Sequence, residues 1–224
     1  MNLPSDRAIR QRDLVPPIQL ARAHALVIGV GAIGRQVALQ LATLGVSRMT
    51  LFDGDSVGVE NLAAQGYWPE DIAQAKVTVT AKLCAQIHAD MELTAIPERF
   101  RRSSARSFQE QRDVALFLCV DSIATRRLIW DSIRPWARLV VDGRMNAEVI
   151  RVLAADAPVL DTQYAGTLFD ASEAYVGACT GRSTIYAASI AAGLMVAQFA
   201  RHLRNVPVIT DQTLNLLTAE LSVA

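Results

Sequence analysis

A run of apolar residues that ends in three closely spaced glycines dominates this sequence. Residues 26–34 read LVIGVGAIG, the segment RQVALQLATLGV follows, and a second apolar run reaches TLFDGD at residues 50–55. A buried strand, a glycine turn, an amphipathic helix and a second buried strand, in this order, predict a βαβ unit with parallel strands.

The residue types in this turn predict phosphate binding. Gly29 would permit the tight turn, Gly31 would let backbone N–H groups approach a phosphate at the positive end of the helix, and Gly34 would let helix and strand pack closely. Asp53 follows by roughly 20 residues, where Rossmann-type units place a carboxylate on the ribose hydroxyls. The pattern therefore predicts nucleotide binding. The alternatives are a tight turn without a ligand and an aspartate that only caps a strand end.

The rest of the chain continues the alternation of strands and helices. Buried apolar runs at 113–121 and 138–144 are separated by the helix-patterned segment 123–136. We therefore expect an α/β fold with a doubly wound, mostly parallel sheet and a Rossmann-like nucleotide-binding half. No convincing boundary divides the sequence, so we predict a single domain over residues 1–224, with an N-terminal helical arm at residues 1–23.

Composition excludes several classes of function. The 224 residues are 51% hydrophobic and 20% charged, and the formal net charge is zero. This balance gives no electrostatic reason to expect nucleic acid or an anionic membrane as a partner. The longest apolar stretch, 183–200, contains Ser189 and Gln198, and we expect it to form a buried helix or a subunit interface and not a membrane span.

The termini and cysteines indicate the compartment. The polar segment MNLPSDRAIRQRD does not read as a secretory signal. Cys84, Cys119 and Cys179 are widely spaced and form no CxxC pair, so neither a disulfide framework nor structural zinc is expected. We predict a cytoplasmic protein, with Cys84 and Cys119 in the core.

Several motifs in order resemble the ThiF/MoeB family, kin of the ubiquitin-activating enzymes. They read IRQ (9–11), GVGAIG (29–34), DGDSVGVEN (53–61), AKVTVTAKL (75–83) and CVDS (119–122). The resemblance implies ATP-dependent adenylation of the C-terminal glycine of a ubiquitin-like or sulfur-carrier protein by a homodimer.

The resemblance also implies roles for single residues. Asp53 would hold the ribose, Lys76 would contact phosphate as a point charge, and Asp121 would hold Mg²⁺ directly or through water. Arg10 would reach the phosphates, in this family usually those of the partner subunit's site. Each role has a plainer alternative: Lys76 as a solvated helix residue, Asp121 as a helix N-cap and Arg10 as a surface charge, with Arg7 and Arg12 as competitors.

Two further residues belong to the predicted nucleotide site. Asp55 and Asn61 lie in the acidic motif, and their alternatives are a solvated loop acid and a turn former. The family usually continues after the asparagine with Leu-x-Arg-Gln, whose arginine contacts ATP. Here Ala64 stands at the arginine position, so one phosphate cation is missing.

Cys179 is the remaining candidate. It stands in GACTGRST (177–184), and the resemblance implies a sulfur-accepting or thioester-forming cysteine near this position. A following helix and Arg182 would favour its thiolate. Packing of a small residue in a loop is the alternative.

Two other functions fit part of the sequence. The glycines and Asp53 alone would fit an NAD-dependent oxidoreductase, although no proton-transfer pair stands out. A non-catalytic scaffold that binds nucleotide or the carrier protein would explain Ala64.

Overall fold

A mixed eight-stranded sheet organises the computed structural model, which describes residues 7–158, 161, 163–169 and 183–224. Its spatial order is β3-β2-β1-β4-β5-β6-β7-β8; β1 to β5 run parallel, and β6 to β8 are antiparallel to their neighbours. The strands are β1 (His24–Ile28), β2 (Arg48–Phe52), β3 (Glu92–Ile96), β4 (Val114–Leu118), β5 (Leu139–Asn146), β6 (Val149–Asp156), β7 (Asp211–Asn215) and β8 (Glu220–Val223).

Helices cover both faces of this sheet. They are α1 (Pro17–Arg22), α2 (Ala32–Leu44), α3 (Asn61–Gln65), α4 (Lys76–Ile87), α5 (Ile123–Ile133), α6 (Gln163–Gly166) and α7 (Ile185–Leu203), with 3-10 helices at Pro69–Asp71 and Arg102–Phe108. Because side chains alternate along a strand, Ala25 and Val27 of β1 join the core under α2, α4 and α7, whereas Leu26 and Ile28 join the core under α5. The predicted doubly wound α/β fold is therefore confirmed.

The long apolar stretch near the C-terminal end is helix α7. Its small residues, among them Ala187, Ala191 and Ala192, are fully buried against α2 and the sheet. Small side chains let two helices and a sheet approach closely, which explains the alanine-rich composition. Across the part of the chain that the structure describes, no helix combines the length and apolarity needed to cross a bilayer.

The polar segment Arg102–Phe108 is a 3-10 helix packed on the sheet. Its Phe108 side chain is buried and contacts the rings of Phe52 and Trp136. A single aromatic among arginines and serines gives no periodic pattern, so the sequence alone does not predict that this segment covers the core.

The N-terminal segment caps the far end of α2. Residues 7–14 form successive turns, the Arg7 guanidinium donates to the carbonyls of Ala42 and Thr43, and the Gln11 amide donates to that of Leu44. These carbonyls belong to the last turn of α2, whose partial negative charge favours a cation. The segment is thus held at the end of α2 opposite the glycine turn.

Candidate functional site

The glycine turn joins β1 to α2 at the carboxyl edge of the parallel strands. Gly29 has a φ of 89°, and a Cβ placed on it would lie 2.5 Å from the carbonyl oxygen of Cys119. A Cβ on Gly34 would lie 1.8 Å from the carbonyl oxygen of Gly29. Both predicted roles, a tight turn and close packing of helix on strand, match this geometry.

Gly31 differs from the other two glycines. The nearest atom to a Cβ placed on it would be Oε1 of Gln65, at 3.9 Å. Gly31 is also the N-cap of the 13-residue helix α2, and no side chain there accepts a hydrogen bond from the first turn. Space and free N–H groups at a helix N-terminus are what an anion requires.

The Asp53 carboxylate ties the glycine turn to the end of β2. One of its oxygens accepts the N–H of Val30 at 2.7 Å, and the other accepts the N–H of Asp55 at 2.8 Å. Each oxygen keeps a further lone pair for a ligand hydroxyl. Asp53 is therefore placed beside the turn, and it does more than cap a strand.

Lys76 is buried at the start of α4. Its side chain is only 8% exposed, and Nζ lies 3.5 Å from Oδ2 of Asp55. Arg99 approaches the other oxygen of Asp55 at 3.6 Å. The alternative reading of Lys76 as a solvated helix residue therefore does not hold, whereas Lys82 is exposed on the same helix. Asp55 is an exposed loop acid, with its side chain 54% exposed, and it pairs with both cations.

The segment between Asp55 and Lys76 contains Asn61, Ala64 and Gln65, of which Gln65 lies beside Gly31. Asn61 is buried, and its Oδ1 accepts the N–H of Gly58 at 2.9 Å, so it closes a turn as the plainer reading proposed. Ala64 lies in α3. Oε1 of Gln65 is buried and has no hydrogen-bond partner within the described residues.

Asp121 follows β4 with an exposed side chain. The N-cap of α5 is Ser122, whose hydroxyl accepts the N–H of Thr125 at 3.3 Å, so the reading of Asp121 as that cap is wrong. The Asp121 backbone carbonyl accepts a hydrogen bond from Arg126 at 3.1 Å. Among the described residues, no ion pair or hydrogen bond engages the Asp121 carboxylate.

Sequence reasoning missed a buried charge network beside Asp121. Asp142 on β5 has no exposed surface, and it accepts hydrogen bonds from Nε of Arg126 at 2.9 Å, Nε of Arg144 at 2.8 Å and the Tyr164 hydroxyl at 2.9 Å. Burial, followed by the Asp142 charge, raises the pKa of Tyr164. Arg144 also donates to Thr167.

One signal for this network was available in the sequence. Residues two apart in a strand share a face, so Asp142 and Arg144 could have been paired. Tyr164 and Thr167 come from a stretch without period, and only the fold brings them there.

Arg10 is not brought to this site. It is exposed on the segment whose neighbours Arg7 and Gln11 cap the far end of α2. A 13-residue helix is roughly 20 Å long. Arg10 therefore lies beyond the reach of one side chain from the glycine turn of its own subunit.

The cysteines divide into two groups. Cys179 lies outside the described residues, as does Arg182. Cys84 is fully buried, and burial raises the pKa of its thiol to about 12. Cys119 packs beside Gly34, and burial also raises the pKa of its thiol. Within the described ranges, no group of three or more His, Cys, Asp or Glu side chains could hold a metal ion alone.

Known proteins resemble this chain in sequence. It is 35% identical over 112 residues to the sulfur carrier protein ThiS adenylyltransferase of Escherichia coli (strain K12), which is 50% of this chain and 44% of that protein. It is 33% identical over 139 residues to the adenylyltransferase and sulfurtransferase MOCS3 of Sus scrofa, which is 58% of this chain and 30% of that protein. The match thus spans less than half of each relative.

Solved structures share the fold. The E. coli MccB complex with AMPCPP and MccA superposes with a TM-score of 0.77 at 15% identity, over 99% of this chain and 71% of that chain. PaaA superposes with a TM-score of 0.74 at 19% identity, over 92% and 73% of the two chains. The model of the ThiF family matches residues 16–219, and this chain therefore belongs to the ThiF family.

Proposed function

We propose that this chain is an ATP-dependent adenylyltransferase that activates the C-terminal glycine of a sulfur-carrier or ubiquitin-like protein. One observation supports the proposal: the glycine turn, Asp53 and Asp121 follow the carboxyl ends of the adjacent parallel strands β1, β2 and β4. Lys76 lies 3.5 Å from Asp55, which also follows β2. After β1 the chain forms β2 and β3 on one side of β1, and it later returns to form β4 on the opposite side of β1. This is the crevice at which α/β sheets bind ligands.

The reaction joins two anions. A terminal carboxylate oxygen attacks the α-phosphorus of ATP, the new P–O bond forms, and the bond to pyrophosphate breaks. Charge accumulates on the phosphates in this step, so fixed positive groups accelerate it. The N-terminus of α2 and the Lys76 ammonium are the groups of that kind in this crevice.

Lys76 is held ready by its neighbours. Asp55 orients the ammonium, and the low exposure of the side chain limits its screening by water. A phosphate arriving above the turn would share this ammonium with Asp55.

Asp121 fits a magnesium ion. Mg²⁺ in nucleotide sites is commonly held by one or two carboxylates, with phosphate oxygens and water completing its shell. Asp121 is an exposed carboxylate at the correct edge of the sheet, so a cluster of protein ligands is not needed. The ion would neutralise phosphate charge in the reaction.

A homodimer would complete the site. Arg10 is too far from its own glycine turn, and Ile9, Leu14 and Ile18 around it are 68%, 60% and 67% exposed. Apolar side chains of this size on one segment favour a protein contact. A second copy that receives this segment would bring Arg10 to the partner subunit's phosphates.

Cys179 would act after adenylation. Its thiolate would attack the activated carbonyl, a C–S bond would form, and AMP would leave with the carbonyl–phosphate oxygen. This second step is a proposal on the sequence alone. Mass spectrometry of the protein after incubation with ATP and carrier would detect the thioester, and Cys179→Ala should remove it while adenylation continues.

The relatives support this function by their names, a ThiS adenylyltransferase and MOCS3. The decisive experiment is ATP–pyrophosphate exchange with Mg²⁺ and a panel of small carrier proteins with a C-terminal glycine. We expect exchange with one carrier, its loss when the terminal glycine is deleted, and its loss in Asp121→Ala. Asp131→Ala, an exposed change on α5, is the matched control and should exchange normally.

Other outcomes would point elsewhere. Binding of ATP without exchange for any carrier would favour the non-catalytic scaffold. Binding of NAD in place of ATP would favour an oxidoreductase. Near-normal exchange in folded Asp121→Ala would contradict the magnesium assignment alone.

A further inference from the structure

A buried arginine, Arg35, directly follows the glycine turn. Arg35 is in the first turn of α2, directly after Gly34, and its backbone N–H donates to the Gly31 carbonyl at 3.1 Å. The residue is only 2% exposed. Nothing in the glycine motif requires an arginine here, since the motif needs only small residues around the turn.

The guanidinium of Arg35 is poorly compensated. Its Cζ lies 4.1 Å from the centre of the Tyr67 ring, and its Nη1 lies 3.4 Å from Oγ1 of Thr80. Its Nε is buried without a hydrogen-bond partner, and no ion pair among the described residues includes it. Arg126, which is equally buried, pairs with Asp142. A buried cation without a carboxylate destabilises the fold, and contact with an aromatic ring offsets only part of that cost.

The surroundings of Arg35 connect it to the turn. The Tyr67 hydroxyl donates to the Val30 carbonyl at 2.7 Å and lies 3.2 Å from Oγ1 of Thr80. The ring below the turn therefore holds both the guanidinium and the turn backbone. The other unpartnered polar atom near the turn, Oε1 of Gln65, lies on the open side beside Gly31.

We propose that Arg35 replaces the cation lost at Ala64, and that its buried positive charge strengthens the binding of the ATP phosphates at the Gly31 end of the turn. The inference rests on the proposed function, because the anion is taken to be ATP. Arg35 is a positioning residue: it acts through the electric field at the turn and through Tyr67, without touching phosphate. In a region of low dielectric constant such a charge is weakly screened.

Direct binding measurements test this inference separately from turnover. Calorimetry with ATP and with adenosine, which lacks phosphates, would compare wild type with Arg35→Met, which keeps length and loses charge. We expect ATP to bind about tenfold more weakly to Arg35→Met, because the attraction between the phosphates and a weakly screened buried charge is lost. Adenosine binding should not change. Lys82→Met, an exposed cation removed from α4, is the matched control and should behave as wild type.

Recovery of ATP affinity in further variants distinguishes the loss of charge from the loss of packing. Arg35→Lys should recover part of the ATP affinity. Arg35→Met combined with Ala64→Arg, which restores the family arginine, should recover most of it. Arg35→Gln is the second neutral variant if Arg35→Met does not fold, and thermal melting checks both.

Three results would overturn the inference. They are equal ATP affinity in wild type and a folded neutral variant, equal losses for ATP and adenosine, and failure of Ala64→Arg to restore binding. The first two results leave the proposed function untouched, because pyrophosphate exchange by the wild type tests that function separately. Wild-type protein that binds no ATP would overturn the proposed function and this inference together.

Discussion

Gly29 and Gly34 face backbone atoms of the chain itself, whereas Gly31 faces open space beside Gln65. A methyl group on Gly34 would meet the Gly29 carbonyl, which cannot move without breaking the turn. A methyl group on Gly31 has room, and the φ of −79° there lies outside the left-handed region that favours glycine. The same motif thus contains residues required by the fold and a residue left free for a ligand.

Alanine at Gly34 should therefore lower stability, whereas alanine at Gly31 should mainly weaken ATP binding. We expect Gly34→Ala to lower the free energy of unfolding by roughly 1–3 kcal/mol or more, as overpacked cores do. Gly31→Ala should cost less than about 1 kcal/mol and weaken ATP binding at least about tenfold, since the methyl group would occupy the phosphate position. Urea denaturation and calorimetry give the two numbers. Unchanged ATP affinity in Gly31→Ala would contradict the prediction that this turn binds a phosphate of ATP.

Most residues of the candidate site can be nominated from the sequence, because they follow from local order along the chain. Glycine spacing, a carboxylate after β2 and an acid after β4 are readable along the chain. The sequence did not predict that Asp55 would pair with Lys76, or that Arg35 would be buried under Tyr67. Those contacts join segments that are distant in the chain, and no periodic pattern reports them.

At the scale of elements, β5 is the point where the sheet changes from parallel to antiparallel pairing. Asp142, the fourth of its eight residues, joins α5 through Arg126 and α6 through Tyr164. Arg126 in turn holds the backbone of Asp121. The buried acid therefore couples three elements at the edge where the candidate metal ligand lies.

Removing this charge should be costly. Asp142→Asn leaves two guanidinium groups without their carboxylate, and we expect a loss of roughly 3–5 kcal/mol in the free energy of unfolding. Asp211→Asn is the matched control, because Asp211 pairs with Arg151 on the same sheet but is partly exposed; its loss should be about 1 kcal/mol or less. Urea denaturation compares the two. Equal losses would show that the Asp142 network contributes no more than a surface pair.

Element boundaries were predictable where apolar runs were long. The strands around the glycine turn and helix α7 follow directly from their patterns. Residues 214–221 contain the end of β7, a turn and the start of β8. Short strands paired by a tight turn carry too few residues to show a period.

At the scale of the whole molecule, Arg10 and the glycine turn lie at opposite ends of α2. If Arg10 serves the partner subunit, each active site combines residues from two chains. The single-domain organisation over residues 1–224 and the role of residues 1–23 as an arm remain predictions. Mixing two inactive protein variants tests the dimer directly.

Mixing inactive Arg10→Ala protein with inactive Asp121→Ala protein should restore exchange activity. Random exchange of subunits makes half of the dimers mixed, and each mixed dimer holds one complete site, so recovery should approach about a quarter of the wild-type rate. Subunit exchange is verified by native mass spectrometry. Absence of recovery in verified mixed dimers would place Arg10 outside the mechanism or in its own subunit.

The width of the sheet between β4 and β8 sets a minimum length for a carrier tail that crosses it. Four strand spacings separate β4 from β8, about 19 Å along the sheet. A tail that enters across this part of the sheet and ends beside Asp121 must be extended, at about 3.3 Å per residue. About six extended residues before the terminal glycine would then be the shortest tail that spans it.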